Sequence, residues 1–290
     1  MIPGDVLRAV APKVGDLEAG SVRPVGGGSI NRSFEFGARD GSRYFVKLNT
    51  ADMLVMFEAE RDGLAEIAAA GQVRVPATIA CGTAGDHAYL LMESLDLRAP
   101  GDAAARLLGT QLAGQHRVMR EKFGWHRDNT IGSTPQMNAP TACWIDFLRD
   151  ARLGYQLQLA AENGLASRIA SRGDELLQRL EEFFAGYSPG ASLLHGDLWG
   201  GNWAATADGA PVIFDPAVYF GDREADIAMT MLFGGFGPGF MESYDLAWPL
   251  DSGFRRRADL YNLYHVLNHF NLFGSGYQRQ VDALLDRLLT

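Results

Sequence analysis

Apolar and polar positions alternate through the first 95 or so residues and then give way to helical spacing. The stretch "VRPVGGGSINRSFEFGARDGSRYFVKLN" predicts three strands near 21–25, 32–36 and 44–48. A glycine triplet makes the first join. The second is "ARDGS", a good hairpin turn because Asp-Gly accepts the dihedrals such turns need. "MLVMFEAERDGLAEIAAAG" follows with apolar residues at helical intervals and Gly71 as its stop. "VRVPATIACGTAGDHAYLLME" reads as two more strands around a glycine-containing turn. The sum is a five-stranded antiparallel sheet with one helix inserted after the third strand.

Beyond Leu95 the pattern predicts helices in "DAAARLLGTQLAGQHRVM", "TACWIDFLRDARLGYQLQLAAENG", "GDELLQRLEEFFAGY", "RADLYNLYHVLNHFNLFG" and "YQRQVDALLDRLL". Residues 190–225 interrupt them with two short strands joined by "TADGA". The expected architecture is α+β and two-lobed. A small N-lobe spans 1–94, a larger mainly helical C-lobe spans 95–290, and 93–99 forms the link.

Composition narrows what such a chain does. At 290 residues and 47% hydrophobic content it can bury a large core. Its net charge of −9 disfavours nucleic acid as a partner. No run approaches the roughly 18 apolar residues of a membrane helix, so no membrane association is expected. The start, "MIPGDVLRAVAP", lacks the basic and apolar regions of a signal peptide. The only cysteines are Cys81 and Cys143, which fits a reducing cytoplasm rather than a disulfide framework.

The candidate chemistry sits at four places. In "VGGGSINRSF", Gly26, Gly27, Gly28 and Ser29 let backbone N–H groups approach phosphate oxygens, although a glycine triplet alone is also an ordinary hairpin turn. One strand later, in "YFVKLN", Lys47 would reach the α- and β-phosphates; without the glycine loop it would read as a solvent-facing strand residue. Its carboxylate partner is Glu58 or Glu60, which face different sides of the helix. Glu60 is favoured because Leu64 and Ile67 share its face. "LLHGDLWGGNW" at 193–203 carries H-x-D-x-x-x-x-N, the spacing of a phosphotransfer catalytic loop. Asp197 would take the proton of an attacking hydroxyl, Asn202 would bind magnesium through its side-chain oxygen, and His195 would support the loop. In "APVIFDPAVYFGDREADIAM", a strand ending at Phe214 delivers Asp215 as the second magnesium ligand. Met92 and Glu93, at the end of the last N-lobe strand, complete the nucleotide-binding set.

Other residues read as structural or open. Asp226 and Arg223 are expected to serve the fold. Asp222, Glu224 and Asp226 are also expected to form an acidic surface that attracts a substrate amine. His265 and His269 are spaced i, i+4 without a third ligand, which favours packing over metal binding. The "RRR" at 255–257 reads as a solvated helix start pairing with nearby acids. The Trp and Phe residues near 199–203 and 233–240 line a substrate pocket or belong to the core.

These residues, with "FGWHRDNTIGSTPQMN", "GDREADIAMTMLFGGF" and "LYNLYHVLNHFNLFG", make the chain resemble the fructosamine kinase family over nearly its whole length. That family lies in the aminoglycoside-phosphotransferase-like branch of the protein-kinase fold. The resemblance implies ATP- and Mg²⁺-dependent phosphorylation of a ketosamine at its 3-hydroxyl, with deglycation as the outcome. The substrate would be a small ketosamine or a glycated amine such as a protein lysine. It implies Asp197 as base, Asn202 and Asp215 as metal ligands, and Lys47–Glu60 as an ion pair. Some relatives carry a cysteine at the place of Ser29, so a loop-cysteine redox switch would not operate here. The alternative is a kinase of another small amine or alcohol, of the aminoglycoside, choline or methylthioribose type.

Overall fold

The structure is a computed structural model that describes residues 1–18, 20–26 and 30–290. Gly27, Gly28 and Ser29 of the glycine-rich loop therefore lie outside the described residues.

Five antiparallel strands form the N-terminal sheet: β1 (Arg23–Val25), β2 (Arg32–Gly37), β3 (Arg43–Thr50), β4 (Thr78–Ala84) and β5 (His87–Glu93), in the order β1-β2-β3-β5-β4. Asp40 caps the β2–β3 turn by accepting the Ser42 N–H at 2.9 Å, and Gly41 takes φ 90°. The inserted helix α2 (Leu54–Ala70) ends on Gly71 in the left-handed conformation expected of a helix-stopping glycine.

Several elements lie outside the sequence reading, among them the helix at Gly237–Ala247 and the short strands at Leu97–Arg98, Met119–Arg120, Asn129–Ile131 and Thr134–Gln136. Residues 4–14, to which the sequence reading assigned no element, form a second N-lobe helix, α1 (Gly4–Val14), despite Pro12. Val6, Val10 and Val14 recur at four-residue intervals and pack with Ile2 against Phe34, Phe36, Val46, Leu48 and Leu91. The sheet is thus covered on both faces. Val46 and Leu48 point to the α1 side, while Phe45, Leu90 and Met92 pack with the core on the α2 side. Pleating then sends Lys47 to the α2 side, where it is buried at 6% exposure.

The C-lobe is mainly helical: α3 (Asp102–His116), α4 (Trp144–Leu148), α5 (Tyr155–Glu162), α6 (Ser167–Gln178), α7 (Glu224–Leu232), α8 (Gly237–Ala247), α9 (Phe254–Phe273) and α10 (Gln278–Leu289). Helices α4 and α5 are one continuous rod with a π turn over Arg149–Gly154. Three small sheets thread between the helices. β6 (Leu97–Arg98), β11 (Trp203–Thr206) and β12 (Pro211–Ile213) form one. β7 (Met119–Arg120), β10 (Ala191–Leu194) and β13 (Tyr219–Gly221) form another. β8 (Asn129–Ile131) and β9 (Thr134–Gln136) pair as a hairpin. Both cysteines are free, and no described helix is long and apolar enough to cross a membrane.

Helix α9 runs through the C-lobe core. His265 on it is 5% exposed, stacks edge-on to Tyr264, and leaves Nδ1 without a partner. Burial, reinforced by His269, pushes its pKa down to about 3 from an ordinary 6.5. Below pH 6.5 the unfolded chain takes up this proton and the folded chain does not. The stability His265 leaves intact at neutral pH is therefore lost progressively as pH falls from 6.5 toward 3. His265→Leu removes that linkage. The stability gap between wild type and variant, measured by denaturant unfolding, is expected to shift by about 2 kcal/mol in the variant's favour between pH 7.5 and pH 5.

Candidate active site

The site forms where the inner face of the sheet, α2 and the β10–β13 region meet. Lys47 Nζ bridges two carboxylates, Glu60 Oε1 at 2.5 Å and Asp215 Oδ1 at 2.6 Å. Burial alone would lower the Lys47 pKa, but the two carboxylates outweigh it and the net shift is upward, so the ammonium stays charged. Glu58 faces away and lies 3.6 Å from Arg127. Glu60, the partner of Lys47, shares a helix face with Leu64 and Ile67, both buried.

The segment after β10 is held through its backbone N–H groups and the His195 ring. Gly196 adopts φ 83°, and a Cβ there would sit 2.0 Å from Ala217 O, so only glycine fits. Asp226 in the first turn of α7 accepts the N–H groups of His195 at 2.7 Å and Gly196 at 2.9 Å. Although burial would raise its pKa, the bond from His116 and these donors hold it below the usual carboxylate range. His195 accepts the Asp197 N–H at Nδ1 (3.2 Å), which fixes the proton on Nε2, and Nε2–H donates to Phe214 O at 3.0 Å. Burial lowers its pKa, so the ring is neutral and ties the 195–197 turn to the end of β12.

Asp197 and Asn202 face one another across that turn. Asn202 Nδ2 donates to Asp197 O at 2.8 Å and to Asp197 Oδ2 at 3.2 Å. This commits the amide nitrogen, and Asn202 Oδ1 makes no hydrogen bond among the described residues. At the open end of the β11–β12 ribbon, Phe214 N–H donates to Asn202 O, so Asp215 emerges beside Asn202. Asp215 is the single non-glycine residue at positive φ (58°) among the described residues. Such strain persists where surrounding contacts over-determine it, most often at functional positions. Burial and then the neighbouring Asp215 charge push Asp197 up to about 7.

One free amide oxygen, one exposed carboxylate and a like-charged neighbour are what a divalent cation would compensate. The donor set is all oxygen and small, which suits Mg²⁺ completed by phosphate oxygens and water rather than a closed protein cage. Among the described residues, no group of three His, Cys, Asp or Glu side chains makes such a cage, His265 and His269 included.

The other sequence-derived candidates fall as follows. Gly26 is exposed, with open space where a Cβ would project, while Gly27, Gly28 and Ser29 are outside the description. Met92 is packed in the inner core. Glu93 spends its N–H on Ala77 O and its Oε1 on Ala77 N–H. The acidic surface expected at Asp222, Glu224 and Asp226 is not there: the three are 0, 0 and 1% exposed. Asp222 accepts the hydroxyls of Tyr187 and Tyr261, and Glu224 forms a two-point pair with Arg257. They hold α7 in the core and present no charge to a substrate amine. Arg257, expected in a solvated run, is 2% exposed and lies over the Tyr187 ring; Arg255 and Arg256 are exposed.

The aromatic residues divide. Trp203 and Phe236 stack at 5.2 Å and are core. Trp199 and Phe233 are 39% and 43% exposed and meet edge to face. Close backbone contact sets this pair, because a Cβ at Gly235 would fall 2.9 Å from Gly200 Cα. The sequence reading also passed over Asn129, Gln136 and Asn138. Asn129 Nδ2 donates to Val218 O at 2.8 Å and Gln136 Nε2 to Ala217 O at 3.1 Å, just beyond Asp215. Their only signal was membership of the quoted "DNTIGSTPQMN" block.

Comparisons with known proteins give the family and the fold. A family model described as Fructosamine kinase matches residues 7–290. The "Probable ketoamine kinase" of Vibrio cholerae serotype O1 is 41% identical over 289 residues, 98% of each chain. The "Protein-ribulosamine 3-kinase, chloroplastic" of Arabidopsis thaliana is 41% identical over 91% of this chain and 81% of its own. A crystal structure assigned to a fructosamine-3-kinase of Thermobifida fusca superposes with a TM-score of 0.88 at 31% identity, covering 99% of both chains. At the level of fold alone, aminoglycoside phosphotransferase APH(4)-Ia is similar, with a TM-score of 0.64 at 17% identity over 98% of both chains. This places the two-lobed α+β architecture among the protein-kinase-like folds, and the chain belongs to the fructosamine kinase family.

Proposed function

We propose that the protein transfers the γ-phosphoryl group of ATP to the 3-hydroxyl of a ketosamine. The observation that carries this reading is that Lys47 pairs with Asp215, which emerges beside Asn202 and Asp197, in a chain of this family. The names of the relatives, ketoamine kinase and ribulosamine 3-kinase, supply the substrate class. In this reading a division at 94/95 puts Lys47 and Gly26 on the nucleotide side and Asp197 on the acceptor side. Gly27, Gly28 and Ser29 extend the phosphate-binding loop, and the backbone near Met92 and Glu93 borders the nucleotide. The lysine holds the α- and β-phosphates, and Glu60 keeps its ammonium in place.

Asn202 Oδ1 and Asp215 would hold Mg²⁺, which neutralises charge on the transferring group. A cation held by Asp215 would offset the charge that, after burial, raises the Asp197 pKa. Asp197 then orients the sugar hydroxyl and accepts its proton late in a loose transition state. Trp199, two residues after Asp197, and Phe233, which meets it edge to face, are exposed and give the sugar or its amine substituent an apolar wall. A phosphate at C3 becomes a leaving group once the neighbouring carbonyl enolises, and its loss leads to release of the amine. Two free cysteines suit a cytoplasmic setting.

A substrate panel tests the reading. With ATP and Mg²⁺, synthetic ribulosamine, erythrulosamine or fructosamine is expected to be turned over at least about a hundredfold more efficiently, in kcat/KM, than an aminoglycoside, choline or methylthioribose. A preference for one of the latter would transfer the same machinery to the alternative acceptor.

A further inference from the structure

Helix α2 carries more acid than its pair with Lys47 uses. Glu58, Asp62 and Glu66 recur at four-residue intervals and so share one face of the helix. All three reach into the C-lobe. Arg127 Nη1 donates to Asp62 Oδ2 at 2.6 Å, and Arg127 Nη2 lies 3.6 Å from Glu58. Arg120 Nη2 donates to Glu66 Oε1 at 2.8 Å, and Trp125 Nε1 donates to Glu66 Oε2 at 3.2 Å.

Between these acids the helix carries Gly63, a residue that costs roughly 1 kcal/mol relative to alanine in a helix interior. The packing accounts for it. A Cβ at 63 would meet Val218 Cγ2 at 3.1 Å and Pro216 Cγ at 3.6 Å. The helix that bears Glu60 therefore rests directly on the segment that follows Asp215.

The same C-lobe stretch that holds α2 also holds that segment. Two residues after Arg127, Asn129 donates to Val218 O. At the far end of the hairpin, Gln136 donates to Ala217 O and shares its amide with Asn129 Oδ1 at 2.8 Å. Asn138 Nδ2 also donates to Asn129 Oδ1, and Arg152 Nη2 donates to Asn138 Oδ1 at 2.7 Å. Arg152 is 1% exposed and is held by Asn138, two backbone carbonyls and the faces of Phe147 and Tyr219. The network is buried and, apart from Arg152 Nε, which has no partner, its members satisfy one another.

We infer that residues 120–138 act as a bracket that sets the two carboxylates on either side of Lys47, Glu60 through α2 and Asp215 through the 216–218 segment. Arg127 and Gln136 are its positioning residues. They touch neither nucleotide nor acceptor, and act by fixing where the lysine and the metal-binding aspartate stand. The inference rests on the functional reading above, since it assigns the bracket to the nucleotide and cation grip.

The test measures Mg–ADP affinity by calorimetry, and KM for ATP and for ribulosamine separately, in wild type, Arg127→Leu, Arg127→Lys and Gln136→Met. Arg127 is partly exposed, so its variants are expected to fold, and thermal unfolding checks this. Loss of an outer-shell contact is expected to weaken Mg–ADP binding and raise KM for ATP by about tenfold in Arg127→Leu and Gln136→Met. KM for ribulosamine is expected to stay within about twofold, and Arg127→Lys to regain most of the affinity. Folded variants that bind Mg–ADP as wild type does would overturn the bracket alone. So would parallel losses in both substrates' KM, which mark general loosening. A wild-type protein that fails to bind Mg–ADP would overturn the functional reading and the bracket with it.

Discussion

Replacing Asp197 with asparagine is expected to lower kcat for ribulosamine phosphorylation by about a hundred- to ten-thousandfold, the range that a positioned proton acceptor supplies. Asparagine fills the same space beside Asn202 but cannot take the hydroxyl proton. KM for ATP should change little, because no contact of Asp197 bears on Lys47 or Glu60. Stability should hold or rise. Burial and the Asp215 charge both oppose ionisation of Asp197, so the substitution removes a repulsion between two carboxylates. Steady-state ATP consumption with synthetic ribulosamine, alongside a thermal unfolding curve, checks both halves. Activity near that of wild type in a folded Asp197→Asn protein would remove this residue from the chemistry.

The second large effect belongs to Asp215→Asn. Here kcat is expected to fall by at least about a hundredfold, because charge stabilisation at the transferring group is lost. Unlike the first variant, this one should also raise KM for ATP and steepen the Mg²⁺ requirement. The pH dependence gives an independent sign. Asp215 raises the Asp197 pKa, so its neutralisation lowers it. Residual turnover should then persist to lower pH than in wild type measured at the same limiting Mg²⁺. Lys47 keeps Glu60 in this variant, and the buried ammonium is not left without a partner. A wild-type Mg²⁺ profile in Asp215→Asn would place the cation elsewhere.

Much of this site is legible in the sequence because its chemistry lies in short local motifs. The Asp-Gly turn at 40–41, the strand around Lys47 and the glycine stop at Gly71 are governed by nearest neighbours. The choice of Glu60 over Glu58 follows from helical periodicity, since Leu64 and Ile67 mark the buried face. Where partners are remote, the reading stops. Asp222 and Glu224 look like exposed acids, but their partners Tyr261 and Arg257 arrive from α9, more than thirty residues away. Helix α1 is obscured by Pro3, Gly4 and Pro12, which punctuate the chain like a loop while three valines still share one face. Helix α8 opens on Gly-Pro-Gly, although proline is tolerated in a first helical turn. Residues 120–138 show no periodicity because they bind backbone carbonyls and the acids of α2, not a shared apolar face.

The most direct test is a crystal structure with Mn²⁺ and a non-hydrolysable ATP analogue, with the ion located by its anomalous signal. The account predicts an ion about 2.1 Å from both Asn202 Oδ1 and an Asp215 carboxylate oxygen, touching the nucleotide phosphates, with the Asp197 carboxylate open to an acceptor in line with the γ-phosphate. An ion bound to neither residue, or a γ-phosphate turned away from Asp197, would contradict it.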